Sequence, residues 1–445
     1  MFRQLFQNLK SIHPIRLTFL GYFSYVLIGW LSLCIPWSQQ AAGGVSALDN
    51  LFIATSAVST TGLATVAVDS SYSFLGELFI LIMIQFGGIG YMTLGSFIML
   101  TRSKKLPEVQ ENISRTTFSL PREIPIEAFI KQVFVFTALI ESIGVVALFF
   151  IFRQAGVEHA LWQAIFHSIS AFCTAGFSLF GDGLEPFRDN FWLNATISTL
   201  SYAGAVGFLV WTDFILVALG KKPRMTLTSK IILHTTVMLT LCGTAAFMIL
   251  EPTISAFPAE ERLMASFFQT MTALTTVGFN TIPIGGISEV MIITVGFLML
   301  IGASPSGTGG GLKSTTFTIL VGILRSTLRN QPQITFRERE IPEARIRAAA
   351  SALIIYAFTS LVAIFLLTIL DNHLAIEDLF FEVISAVSTV GISRGITSSL
   401  EPLGKLVIIA AMFAGRLGPL VFGVALFMAK PEYHEQDKPR EDIVM

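Results

Sequence analysis

Apolar stretches long enough to cross a bilayer recur along this 445-residue chain, and they constrain its fold more than any other feature. The stretches at 17–37, 134–152 and 353–370 each approach or exceed the roughly 20 residues that a helix needs to cross about 30 Å of hydrocarbon. A soluble core has no use for so many. Hydrophobic residues make up 53% of the chain, phenylalanine occurs 39 times, and charged residues fall to 13%, about half the roughly 25% of an ordinary globular domain. The chain reads as a polytopic membrane protein. Its first stretch follows a basic start (Arg3, Lys10, Arg16) but runs into Cys34-Ile35-Pro36-Trp37 without a small-residue cleavage site, so it is expected to stay as a first span. Cys34, Cys173 and Cys242 have no metal or disulfide spacing and read as small buried hydrophobes.

Charge placement predicts the orientation. Lys and Arg collect in alternate connections: Arg3, Lys10 and Arg16; Arg102, Lys104, Lys105, Arg115 and Arg122; Lys221, Lys222, Arg224 and Lys230; Arg325, Arg329, Arg337, Arg339, Arg345 and Arg347; and Lys430, Lys438 and Arg440. The connections between them are acidic, with Asp49, Asp69, Glu77, Asp182, Glu185, Asp189, Glu260, Glu261, Asp371, Glu377 and Asp378. Basic loops stay cytoplasmic, so both termini are expected inside, and two spans between each pair of basic regions give eight.

Within each pair of spans lies a shorter helical segment that ends in a small-residue turn. The four read LFIATSAVSTTGL (51–63), IFHSISAFCTAGF (165–177), FFQTMTALTTVGF (267–279) and FFEVISAVSTVGI (380–392). Gly62, Gly176, Gly278 and Gly391 set the register. Ten residues before each is a Phe, six before is a hydroxyl residue (Ser56, Ser170, Thr272, Ser385), five before is an alanine, and two before is Thr60, Thr174, Thr276 or Thr389. The period is about 100–115 residues. The repeats are expected at 17–102, 124–220, 230–328 and 345–430, between cytoplasmic ends at 1–16 and 431–445. Packing on one helix face accounts for the Phe and Ala. It does not account for four hydroxyl-and-glycine turns at membrane depth, where irregular backbone survives only if buried in protein or lining water. Glycine allows the positive φ that turns a carbonyl towards an axis, and four such turns make a ring of dipoles able to replace a cation's hydration shell.

These motifs resemble the Ktr/Trk/HKT superfamily of potassium transporters, most closely its Ktr-type membrane subunit, and the resemblance covers nearly the whole chain. It implies an all-α fold of four helix–pore helix–filter loop–helix repeats in a pseudo-fourfold arrangement. It implies a K⁺ filter of backbone carbonyls at Thr60-Thr61-Gly62-Leu63, Thr174-Ala175-Gly176-Phe177, Thr276-Val277-Gly278-Phe279 and Thr389-Val390-Gly391-Ile392. Some plant members with serine at the first filter glycine favour sodium; all four positions here are Gly, which favours potassium. The extra N-terminal helices of Trk-type relatives are not expected here, since the first span begins near Leu17.

The second span of each repeat carries a small-residue site 24–28 residues after its filter glycine: GGIG (87–90), GAVG (204–207) and GRLG (415–418). Close helix packing explains the first two. In repeat three the apolar run from 287 to 328 is interrupted by Gly302-Ala303-Ser304-Pro305-Ser306-Gly307-Thr308-Gly309-Gly310-Gly311-Leu312-Lys313, which should break the helix inside the membrane. It resembles the family's intramembrane gating loop, for which Gly302, Ser304, Ser306, Gly307, Thr308, Gly309, Gly310, Gly311 and Lys313 are the candidate residues. The G-K-[ST] core of a phosphate loop is absent, because Leu312 separates Gly311 from Lys313. Arg416 lies in the last apolar span, where a charge normally faces a cavity or a partner; at the matched family position an arginine points into the pore near the loop. A structural ion pair is the alternative. Glu141 and Asp213 are also membrane-embedded, and Glu141 could partner a basic residue.

The expected function is K⁺ uptake across a plasma membrane, a bacterial inner membrane in the first instance, with no enzymatic step. No tightly bound cofactor and no metal beyond permeant K⁺ are expected; Na⁺ as a coupling or activating ion stays open. The resemblance implies a homodimer on a cytoplasmic ring of nucleotide-binding regulatory subunits; membrane lipid is the other expected partner, and nucleic acid is not one. A sodium-selective or unselective cation pathway, an inverted-repeat transporter of organic solutes and a non-transporting scaffold are the rival classes.

Overall fold

The computed structural model describes residues 14–40, 44–90, 125–331, 333–336 and 339–418. Arg3, Lys10, Arg102, Lys104, Lys105, Arg115, Arg122, Arg337, Lys430, Lys438 and Arg440 lie outside the described residues. The described chain is mostly helical: α1 Pro14–Leu33, α2 Ala47–Val58, α3 Phe74–Ile89, α4 Ile126–Gln154, α5 Ala160–Phe172, α6 Phe191–Ala205 and α7 Phe208–Ala218. There follow α8 Leu227–Leu250, α9 Ala259–Thr275, α10 Glu289–Leu300, α11 Ser314–Leu328, α12 Glu343–Leu370, α13 Ile376–Val387 and α14 Pro402–Leu417. A small antiparallel hairpin, β1 Thr335–Phe336 and β2 Arg339–Glu340, joins α11 to α12.

Local chemistry starts these helices. Ser46 accepts the Asp49 N–H at 3.1 Å, Ser73 that of Gly76, Asn190 that of Leu193 at 3.0 Å and Thr226 that of Ser229. Each such cap is worth about 1 kcal/mol, and α14 opens on Pro402, whose missing N–H costs nothing there. Carboxylates do the same across the chain: Glu251, just past α8, accepts the Ser288 N–H ahead of α10, and Asp371, just past α12, accepts the Glu401 N–H ahead of α14.

Among the described residues three helices, α4, α8 and α12, are each long and apolar enough to cross a membrane, and α6 with α7 forms a fourth such unit bent by 95°. On α4 the outward stripe Val135, Leu139, Ile143, Val146 and Phe150 is exposed at helical spacing. A surface of that kind requires lipid.

Each long helix packs on the two elements that follow it: α1 with α2 and α3, α4 with α5 and α6, α8 with α9 and α10, α12 with α13 and α14. Between these groups α3 packs on α5, α6 on α9, α10 on α13 and α14 on α2, so the contacts close into a cycle in chain order. The short helices α2, α5, α9 and α13 lie inside it. Phe52, Phe166, Phe268 and Phe381, with Ala57, Ala171, Ala273 and Ala386, are wholly buried, which gives the repeated Phe and Ala a packing role. Of the cysteines only Cys173 is buried as expected; Cys34 is half-buried and Cys242 exposed on the outer face of α8, where lipid can cover a thiol as well as protein can.

Candidate functional site

The short helices end alike, except that in α9 the Thr276 N–H returns to the Thr272 carbonyl. The N–H groups of Thr60, Thr174 and Thr389 return to the carbonyls of Ala57, Ala171 and Ala386, and those of Thr61, Ala175, Val277 and Val390 to Ser56, Ser170, Thr272 and Ser385. This is a Schellman-type stop, normally completed by glycine in the left-handed region. Here threonine occupies that position, with φ of 51°, 52°, 59° and 49° at Thr60, Thr174, Thr276 and Thr389. A β-branched residue there is strained by about 1–3 kcal/mol. Four copies of one strained turn require a common cause.

Two residues on, Gly62, Gly176, Gly278 and Gly391 also have positive φ, at 95°, 66°, 86° and 90°. A Cβ on Gly62 would meet the Ala175 carbonyl, on Gly176 the Val277 carbonyl, on Gly278 the Val390 carbonyl and on Gly391 the Thr61 carbonyl. Each glycine therefore faces the carbonyl of the next turn, and the fourth returns to the first. The side chains that follow point away from this ring. Leu63 joins the apolar cluster of α12–α14, Phe177 that of α1–α3, Phe279 that of α4–α6 and Ile392 that of α8–α10. Every turn is thus anchored in the preceding group of helices.

Polar side chains hold the turns from behind. The Gly62 N–H donates to Ser56 Oγ at 3.0 Å and the Gly391 N–H to Ser385 Oγ at 3.1 Å, while Ser170 Oγ donates to the Phe177 carbonyl at 2.8 Å. Sequence reading missed a second set, nine residues before the glycine. His167 Nε2 lies 3.0 Å from Ser178 Oγ, Gln269 Nε2 donates to Thr281 Oγ1 at 3.2 Å, and Glu382 accepts from Ser393 Oγ at 2.7 Å and from Thr397 Oγ1. Repeat one has Ile53 there, which can neither donate nor accept. All three polar residues are buried, so each ties its short helix to the chain just past the turn.

Segment 301–313 separates α10 from α11 and sits against the same turns. The Gly310 N–H donates to Thr276 Oγ1 at 3.0 Å, and Thr174 Oγ1 lies 3.2 Å from Thr308 Oγ1, which itself donates to the Phe172 carbonyl. A Cβ on Gly309 would strike Thr276 Oγ1, and one on Gly310 would strike Thr389 Oγ1. Gly302 packs its backbone on Gly310 and Gly311, and Lys313 Nζ donates to the Gly309 carbonyl at 2.8 Å. The other side of the segment satisfies the α6–α7 bend: Ser304 and Thr308 N–H groups donate to Ala205 and Gly204 carbonyls, and the Phe208 N–H donates to the Ser306 carbonyl. Ser304 Oγ adds a 2.9 Å bond to Ala205, Ser306 Oγ accepts the Leu209 N–H at 3.1 Å, and Gly307 N–H closes a turn on Ser304. Pro305, having no N–H, sits between two residues whose backbone groups carry these bonds.

The GGIG and GAVG sites do more than pack. Gly87, Gly204 and Gly415 each lie against the carbonyl four residues before a turn glycine (Val58, Phe172, Val387), as close packing predicts. In addition Gly90, Gly207 and Gly418 take φ of 87°, 90° and 84° at or just past the ends of α3, α6 and α14. All four second helices stop at this level. Arg416 binds into the gap, donating to the carbonyls of Thr308, Gly87 and Gly88 and to Tyr22 Oη at 3.2 Å. Its partners are carbonyls and a hydroxyl, so it joins the repeat-three segment to repeat one.

Over residues 31–438 the chain matches the family of the TrkH cation transport proteins, a span that holds all four turns, the segment 301–313 and Arg416. It belongs to the TrkH family. The chain is 31% identical over 443 residues to the potassium/sodium uptake protein NtpJ of Enterococcus hirae, covering 98% of both chains. It is 32% identical over 414 residues to the Ktr system potassium uptake protein B of Bacillus subtilis, covering 92% of both. The fold resembles that of the potassium transporter TrkH from Vibrio parahaemolyticus, with a TM-score of 0.69 and 20% identity over 92% of this chain and 84% of that one. Within the TrkH family the chain is a Ktr-type membrane subunit, a multi-pass transporter component and not an enzyme.

Two acids in this TrkH-family chain are separate from the ring. Asp213 on α7 accepts from Lys222 Nζ at 2.6 Å and from the N–H and hydroxyl of Thr226, capping α8. Among the described residues no Lys, Arg or His pairs with Glu141, which the sequence left open: Gln85 Nε2 donates to it at 3.1 Å and Cys173 Sγ lies 3.8 Å away.

Proposed function

We propose that this protein admits K⁺ into the cell across the plasma membrane, along the axis enclosed by the four turns, which act as a filter of backbone carbonyls. The observation that carries the reading is the closed cycle in which each turn glycine abuts the next turn's carbonyl. Only glycine fits such a site, and carbonyl dipoles gathered on one axis can replace a hydration shell. The relatives named as potassium uptake proteins support the ion, and the name of the Enterococcus relative keeps sodium as a second permeant or coupling ion. A pseudo-fourfold bundle of eight spans with both termini cytoplasmic fits the cyclic packing and the charge bias.

Segment 301–313 is the gate. It contacts Thr174, Thr276 and Thr389 directly on one side of the ring, and Arg416 holds it there while placing a positive charge beside the ion path. The Ktr system names of relatives point to further components. A homodimer on a cytoplasmic ring of nucleotide-binding subunits is the assembly we propose, docked on exposed Lys221, Arg224, Arg325, Arg329, Arg339, Arg345 and Arg347.

Isotope flux into proteoliposomes tests the whole reading. ⁸⁶Rb⁺ uptake should be displaced by K⁺ at concentrations at least tenfold below those of Na⁺. Equal displacement by the two ions would refute the K⁺ filter, and absence of flux would refute the transport axis.

A further inference from the structure

We propose that the hollow between the end of α4 and the start of α5 binds one anionic phospholipid, its phosphate at Arg153 and the first turn of α5, and an acyl chain on Phe149, Leu161 and Ile165. The inference does not rest on the transport reading. The hollow measures about 510 Å³ and is lined by these residues with His159 and Trp162. Its walls are apolar at helical spacing: Phe149 stands one turn before Arg153 on α4, and Leu161 one turn before Ile165 on α5. Leu161 is exposed, as are Val146 and Phe150 of the α4 stripe. The hollow therefore continues a surface that requires hydrocarbon, and an acyl chain fits it where water does not.

Charge decides the headgroup. The other Lys and Arg residues in and beside the acidic connections are engaged within the protein. Arg188 pairs with Glu261 at 3.7 Å, Arg394 with Asp378 at 3.0 Å and Lys405 with Asp49 at 2.8 Å, and Arg262 donates to the Met248 carbonyl. Arg153 differs. Among the described residues no carboxylate or carbonyl binds its exposed guanidinium, which lies 6.0 Å from the centre of the Phe149 ring at the edge of the hollow. Of the acids nearby, Glu158 is exposed in the connection and Glu77 accepts from Trp162 Nε1, and neither is bonded to Arg153.

The start of α5 adds to this charge. The other three short helices open with carboxylates in the first turn: Asp49 in α2, behind the Ser46 cap, Glu260 and Glu261 in α9, and Glu377 and Asp378 in α13. Helix α5 has no acid there, and His159 before it makes no side-chain cap. Its first N–H groups and the positive end of its dipole are left for an acceptor from outside, which a phosphate oxygen supplies. Trp162, with its ring on the hollow and its N–H on Glu77, is the residue type that marks headgroup level. A zwitterionic lipid would bring its own cation beside Arg153, whereas an anionic one would not. Preference for the anionic lipid should be about fivefold, the effect of one basic residue at a charged lipid surface.

Trp162 also reports occupancy, without any transport assay. The full-length protein is reconstituted in phosphatidylcholine bilayers, and phosphatidylglycerol or phosphatidylcholine brominated on the acyl chains is added in steps. Bromine quenches indole fluorescence on contact, so the difference between wild type and Trp162→Phe isolates Trp162 from the other tryptophans. Half-quenching of Trp162 should need about fivefold less brominated phosphatidylglycerol than phosphatidylcholine, and Arg153→Gln should bring the two curves together. Equal demand for both lipids in the wild type would overturn the site, as would a preference that survives Arg153→Gln. Absence of Trp162 quenching by either lipid would overturn it too, and would give the hollow to another occupant such as a second copy of this chain. Should Trp162→Phe not fold, wild type and Arg153→Gln are compared over all 5 tryptophans. Identical phosphatidylglycerol curves for those two proteins would refute the proposal.

Discussion

The turns at 60–63, 174–177, 276–279 and 389–392 are nearly interchangeable, whereas the helix stops 24–28 residues later differ in kind. Each turn has threonine at positive φ, a glycine against the next carbonyl, and a buried apolar residue after it. Of the stops, three use a single glycine near φ 90°, and the third repeat uses the segment 301–313, bonded to Gly204, Ala205, Thr174 and Thr276. An ion on an axis sees all four turns at once, so a change in one copy costs the whole ring. A barrier needs only one copy to enter the path. The conserved geometry therefore suits selection, and the divergent copy suits gating.

The comparison breaks most readily at the glycines. Gly278→Ser and Gly391→Ser place a side chain into the carbonyls of Val390 and Thr61 at a backbone angle that L-residues rarely adopt. Strain of about 1–3 kcal/mol per site converts to a roughly five- to hundredfold loss of apparent K⁺ affinity, at about 1.4 kcal/mol per decade. K⁺ and Na⁺ uptake by each folded variant in a potassium-uptake-deficient host measures it. If the four copies are equivalent, Gly62→Ser must behave alike; a well-expressed variant with unaltered affinity and selectivity would end the ring assignment.

The divergent copy should respond in the opposite direction. Arg416→Gln frees the Thr308 carbonyl and removes a charge which, at 4 Å and an effective dielectric near 20, opposes a passing cation by about 4 kcal/mol before screening. Initial uptake per folded molecule should rise severalfold, with apparent K⁺ affinity within about twofold of wild type. Deleting one of Gly309–Gly311 should act alike. A fall in flux in both variants would make the segment a structural kink and the arginine its brace.

What the sequence carried follows from this same contrast. Backbone strain that only glycine relieves leaves glycine at fixed register, so the four turns stood out, as did the ten-residue run of small residues at 302–311. The breaks at Gly90 and Gly207 were obscured because GGIG and GAVG satisfy close packing too, and both causes select the same residue. The residues behind the turns were hidden for another reason. Ile53, His167, Gln269 and Glu382 share a position but no side-chain chemistry, and their partners Ser178, Thr281 and Ser393 shift by a residue. Glu141 could not be partnered from sequence, since its neighbours are a neutral amide and a thiol from other helices.

Those hidden residues sharpen the comparison at an intermediate scale. Gln269→Leu strands Thr281 Oγ1 and should cost about 1–3 kcal/mol, the cost of an unsatisfied buried group. Its K⁺-over-Na⁺ preference should fall a few-fold while maximal flux changes little, because the turn backbone remains but its outer end is loosened. Gln269→Glu, which loses the Nε2 donor but can accept from the Thr281 hydroxyl at a similar shape, should recover part of the preference. Ile53→Val, in the repeat without a polar tie, should leave selectivity alone. Equal selectivity losses at 53 and 269 would show that packing, and not the polar tie, sets the turn.

The smallest effect belongs to Asp213, which touches neither the ring nor the segment 301–313. Its carboxylate is buried between Lys222 and the first turn of α8, where Thr226 supplies both a backbone and a hydroxyl donor. Lys222 is itself more than a third exposed, so solvent screens the ion pair and little of its Coulomb energy reaches stability. The bonds from Thr226 matter more, since they fix the α7–α8 connection and orient the residue that caps α8. Asp213→Asn keeps an acceptor oxygen and the shape but weakens both charge-assisted bonds, for a loss of about 1 kcal/mol and a shift of a degree or two in melting temperature. Flux per folded molecule and K⁺ affinity should match the wild type, because the connection lies outside the elements that differ between the third repeat and the rest. A variant with altered maximal flux at normal folding would place Asp213 in the gate's mechanical path. The asymmetry that distinguishes the third repeat would then extend through α7 and the α6–α7 bend on which the segment rests.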